Sequence, residues 1–119
     1  MDPTLLAAGL LIGFVLVHLL EEILTGFRHK FPLGEMPVPV FLGINLLLYG
    51  YAGVMIKLLS VENPGGELMA WIFASGMLLN GLGHLGYMIW LRRYFPGGVT
   101  AVLVVGFSLN LMMILTRFS

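Results

Sequence analysis

Residues 18–22 read His-Leu-Leu-Glu-Glu, at the end of a run (residues 5–17) that is otherwise entirely apolar. A histidine and two adjacent carboxylates are groups that hold a divalent cation or move protons. Burying one ionised carboxylate in an apolar medium costs several kcal/mol, and two side by side repel each other. Something in the chain must compensate them. On a helix Glu21 lies about 60° to one side of His18 and Glu22 about 40° to the other, so all three share a face.

A second polar pair, Asn80 and His84, also falls four residues apart inside an apolar stretch, and Asn45 and Thr100 stand in two others. Two histidines, two carboxylates and amide or hydroxyl support form a ligand set suited to zinc first, or to manganese or iron. The candidate metal ligands are His18, Glu21, Glu22 and His84, with Asn80, Asn45 and Thr100 as polar support. One glutamate and the histidines would hold the cation. The other glutamate would act as catalytic base on a bound water, whose pKa such a metal brings near 7. Glu21 and Glu22 are thus the candidate catalytic residues.

The elements that must position these groups follow from composition. The chain has 119 residues, 59% hydrophobic and only 10% charged, with mean hydropathy +0.99 and formal net charge zero. Soluble domains carry about 25% charged residues, so a soluble domain is excluded. Four apolar stretches, at roughly 5–26, 37–60, 68–91 and 98–116, are each long enough to cross a hydrocarbon core of about 30 Å. They lack the alternation of barrel strands, and backbone groups in lipid must be satisfied internally, so they are predicted to be helices. The fold class is all-α: a four-helix transmembrane bundle forming one integral membrane domain over residues 1–119. Asp2-Pro3-Thr4 reads as the start of a retained first helix, since no basic residue precedes the apolar run as in a cleaved leader. There is no cysteine, which excludes disulfides and thiol catalysis. No nucleotide-binding, nucleic-acid-binding or serine-triad pattern is present.

Arg28 and Lys30 fall in the first loop and Arg92 and Arg93 in the third, whereas the second loop, residues 60–67, is acidic. The positive-inside rule then places loops one and three in the cytoplasm and both termini outside. His18 precedes Arg28 by ten residues and His84 precedes Arg92 by eight. Both therefore lie about 12–15 Å below the inner boundary by helical rise. The polar groups gather in the inner half of the membrane, which points to one site. The spacing Gly9-x-x-x-Gly13 and the glycines at 76, 81, 83 and 86 predict close packing of helices one and three.

The two halves also echo each other. His18, Phe31-Pro32 and Asn45 match His84, Phe95-Pro96 and Asn110 at similar spacings. That pattern predicts two parallel-repeat helical hairpins related by an axis along the membrane normal.

His18-Leu-Leu-Glu21-Glu22 closing a first membrane helix, a later helix with Asn80-x-x-x-His84, and Pro96-Gly97…Thr100-Ala101 opening the last resemble the HXXEE-domain family of small integral membrane proteins. The resemblance covers nearly the whole chain and implies a membrane enzyme of uncharacterised activity. Three functions are open: a metal-dependent enzyme, hydrolytic or modifying a lipid or isoprenoid that arrives sideways from the bilayer; a proton or metal-ion carrier; and a structural or assembly protein. A transport path should continue to the other face, where few relay groups follow, so the enzyme is favoured. Self-association into a homo-oligomer stays open.

Overall fold

The computed structural model describes residues 2–118 as four helices: α1 (Pro3–Leu24), α2 (Val38–Ser60), α3 (Pro64–Leu91) and α4 (Gly98–Phe118). Each is long and apolar enough to cross a membrane. The expected all-α bundle is present, and no strand occurs among the described residues.

Local sequence sets the helix ends. Asp2 caps α1 by accepting from the Thr4 N–H at 3.0 Å, with Pro3 in the first turn, where its missing N–H costs nothing. The sequence reading placed the start of the third helix at about residue 68; it begins at Pro64. Asn63 caps it by accepting from the Gly65 N–H at 2.8 Å, and Pro64-Gly-Gly forms the first turn instead of a loop. Gly66 is required there, because a Cβ would meet the backbone nitrogen of Leu59 at 2.7 Å.

The helices form a ring in the order α1, α4, α3, α2, with α4 wedged between α1 and α3. Helices α1 and α3 stand at opposite corners. This corrects the expected glycine-mediated packing of the first and third helices. A Cβ on Gly9, Gly13, Gly76, Gly83 or Gly86 would touch nothing within 4 Å, whereas one on Gly81 would meet Val105 and Ala101 of α4. The glycine that allows close approach therefore brings α3 against α4.

Tight packing concentrates in one half of the bundle. Leu11 and Val15 of α1, Met55 of α2, Phe73 of α3, and Val104 and Leu111 of α4 form its core. Leu11, Met55, Phe73 and Leu111 lie toward the end that holds the α2–α3 turn, and Val15 and Val104 reach up to the level of the polar residues. In the other half α2 peels away: its buried residues are Ala52, Met55 and Leu59, and none precedes Ala52. That divergence opens the space in which the polar residues sit.

Candidate metal centre

At the diverging end, α1 and α3 each send one histidine to the bundle axis. The rings of His18 and His84 meet edge to face, with centroids 4.6 Å apart. Glu22, one turn beyond His18 on α1, reaches the same point. Its Oε2 lies 3.4 Å from His84 Nε2 and 3.9 Å from His18 Nε2. All three residues are buried, and their ligand atoms lie within 4.8 Å of one another. A tetrahedral zinc with bonds of about 2.0–2.1 Å separates its ligand atoms by roughly 3.3 Å. The trio approaches that spacing.

The hydrogen bonds around the histidines fix which nitrogen is free. His84 Nδ1 is 2.9 Å from the Pro96 carbonyl oxygen, which only accepts, so Nδ1 carries the proton and donates it. His18 Nδ1 is 2.8 Å from Thr100 Oγ1. That hydroxyl spends its own proton on Glu21 Oε1 at 2.6 Å, so His18 Nδ1–H must donate to it. In the neutral rings, both Nε2 atoms then present lone pairs toward the Glu22 carboxylate. His18 Nε2 is buried and makes no hydrogen bond of normal geometry, with the Asn80 side chain as its neutral polar neighbour. Buried polar atoms rarely stay unpartnered, and three acceptors facing one another need a cation or a proton between them. Outward Nδ1–H donation to a carbonyl or a carboxylate chain is also how metal-bound histidines are usually held.

The two adjacent glutamates are separated. Glu21, expected as ligand or base, stands outside the cluster, because α4 begins beside it. Its Oε1 accepts from the Thr100 N–H (2.8 Å) and hydroxyl, and its Oε2 from the Val99 N–H (3.2 Å) and the Tyr94 phenol. A carboxylate at a helix N-terminus satisfies orphan amides and meets the positive end of the helix dipole. Glu21 is thus compensated by α4, whereas Glu22 faces the two imidazole nitrogens. Tyr94 lies in the loop before α4, where burial first and then its bond to Glu21 raise its phenol above the ordinary value.

The loop residues Pro96 and Gly97 close the centre from above. Gly97 has φ +90°, and a Cβ there would meet His84 Cε1 at 2.6 Å and His18 Cε1 at 2.9 Å. Sequence reasoning gave Tyr94 and Gly97 no role in the site. A signal was available in the Pro-Gly-Gly run at 96–98 that opens α4 beside a candidate threonine.

Below the histidines a cavity of about 230 Å³ lies between α1, α2 and α3, walled mainly by apolar side chains such as Phe31, Phe41, Leu48 and Met77. His18, Glu22, Asn45, Tyr49 and Asn80 supply its polar lining. Asn45 uses its amide to donate to the Phe41 carbonyl at 2.9 Å, and Tyr49 donates to the Val15 carbonyl at 3.2 Å. Neither touches the histidines. Asn80 also lines a cleft that runs past Phe27, Phe31 and Gly83 to His84.

A family profile described as protein of unknown function with HXXEE motif matches residues 9–111. The chain belongs to the HXXEE family. No curated protein and no solved structure matches it. Within the motif, the first and last residues, His18 and Glu22, face the bundle axis, and Glu21 turns to α4. HXXEE therefore joins one helix to two different tasks.

Proposed function

We propose that this HXXEE protein is a metal-dependent membrane enzyme in which His18, His84 and Glu22 hold one divalent cation, zinc by preference or manganese or iron. The observation that carries this reading is the unpartnered, buried Nε2 of His18 facing a carboxylate, with its Nδ1–H committed elsewhere. Two imidazoles and one carboxylate leave a bound zinc a further position, which is the hallmark of catalytic sites and not of closed structural ones. When bound, the ion would supply Lewis-acid polarisation and a water of lowered pKa.

The chain's own residues do the rest. Pro96 and Thr100 orient the imidazoles, and Glu21 with α4 holds Thr100. Glu22 is the one carboxylate lining the cavity, so it is the group able to accept a proton from a molecule bound there. The largely apolar walls favour a lipid-like or isoprenoid substrate, arriving where α2 diverges from the bundle, and a hydrolytic or group-modifying reaction. Asn45 Oδ1 and the Asn80 amide offer it an acceptor and donors.

A carrier using the same cluster would need a polar route onward. Toward the α2–α3 turn the large buried side chains are Leu11, Met55, Leu59, Phe73, Leu111 and Leu115, with Thr4 and Ser108 the buried polar residues among the described ones. That core favours the enzyme. The basic residues of the loops beside the centre favour placing it in the cytoplasmic half with both termini outside. A cysteine introduced at Gly65 should then label from outside intact cells; labelling only after permeabilisation would reverse the topology.

Elemental analysis of purified protein, before and after a strong chelator, tests the central reading. One equivalent of zinc, manganese or iron is expected, lost with the chelator and absent from His18→Ala. Metal-free protein that takes up none of the three on titration would refute it.

A further inference from the structure

The end of the bundle that holds the centre carries cations with no acid left to meet them. Its carboxylates are Glu21, Glu22 and Glu35. Glu21 is bound by α4 and Tyr94, Glu22 faces the histidines, and Glu35 pairs with His29 at 2.9 Å and Arg28 at 3.5 Å. The remaining acids, Asp2, Glu62 and Glu67, share a cavity at the opposite end. Among the described residues no carboxylate pairs with Lys30, Arg92 or Arg93.

Two of these three cations converge. Lys30 from the first loop and Arg93 from the third line one cavity of about 290 Å³, together with Tyr87, Tyr94, Phe95 and Pro96. Bringing two like charges into one concavity is unfavourable unless an anion lies between them. Tyr87 and Phe95 wall both this cavity and the cleft that reaches His84, and Pro96, at its back, holds the His84 imidazole through its carbonyl.

We infer that the Lys30–Arg93 cavity binds a phosphate group, and that it is the mouth through which a phosphate-bearing ligand extends its remainder past Tyr87 and Phe95 toward the histidines. An arginine fork and a lysine point charge are the side chains that recognise phosphate. The surrounding aromatic rings suit the headgroup level of a bilayer. The site stands whether or not the trio holds a metal.

Fluorescent short-chain phosphatidic acid, titrated into the protein in neutral detergent with chelator present, tests this apart from any metal. Each cation near a membrane anion contributes enough that Arg93→Gln and Lys30→Gln should each weaken binding about fivefold. Arg92→Gln removes the same charge from the same face outside the cavity and should leave affinity unchanged. Displacement of the probe by inorganic phosphate would show that the site takes the free anion, and retention that it takes phosphate as a lipid headgroup. An equal loss from Arg92→Gln, or binding no tighter than that of the matching phosphatidylcholine, would overturn the inference.

Discussion

Thr100→Val separates a hydroxyl that orients a ligand from one that merely holds helices together. The Thr100 oxygen accepts from His18 Nδ1–H at 2.8 Å and donates to Glu21 at 2.6 Å. Valine keeps the shape and removes both bonds. The N–H groups of residues 99 and 100 still reach Glu21, so the cap of α4 survives. The His18 Nδ1–H, however, is left buried without a partner, at about 1–3 kcal/mol. The ring escapes that cost by moving its proton to Nε2, which removes the lone pair facing Glu22. At 1.4 kcal/mol per factor of ten, the penalty corresponds to a loss of about 5- to 150-fold in metal affinity. Loss of an outer partner of a metal-bound histidine typically costs 10- to 100-fold, in the same range. Competition titration against a chromophoric zinc chelator measures the affinity, and thermal melting by circular dichroism reports the fold. A variant that melts lower but binds zinc as tightly as the parent would refute the orienting role.

Gly97→Ala should act on both histidines at once: the left-handed backbone alone costs about 1–2 kcal/mol, and the new methyl displaces both imidazoles. Zinc affinity should fall further than in Thr100→Val, whereas Gly34→Ala, also at positive φ but in open space, should lower stability and leave affinity intact. Gly66→Ala should destabilise by about 1–3 kcal/mol through overpacking against the Leu59 backbone, and Gly13→Ala, whose Cβ meets nothing, should be tolerated in the same melting assay.

The four spans were legible because hydrocarbon admits few alternatives: a long apolar run without alternation has to be a helix. His18, Glu22 and His84 were legible for a related reason, since each is a costly group in an apolar stretch and depth from the basic loops placed them together. The neighbour order of the helices was not. Gly9-x-x-x-Gly13 pointed to α1 against α3, but that face turns outward, and the close approach falls at Gly81 against α4. The division between Glu21 and Glu22 was hidden for the same reason. The two lie about 100° apart on one helix, and only the position of α4 decides which carboxylate becomes a cap and which faces the axis. The start of α3 was missed because Pro64-Gly-Gly reads as a turn until Asn63 is recognised as its cap. The two histidines on diagonal helices meet at the axis, and α4 is packed far more closely than α2.

Glu22→Gln bears most directly on the metal centre, because opposite outcomes follow from a bound cation and from its absence. Glutamine keeps size and hydrogen bonding but removes the charge that draws a cation to the histidines. With a metal present, the variant should lose the bound equivalent and melt at a lower temperature. Removing a charge from a buried site that holds no cation instead relieves its desolvation cost. A Glu22→Gln protein that melts higher, with no metal in either form, would contradict the account.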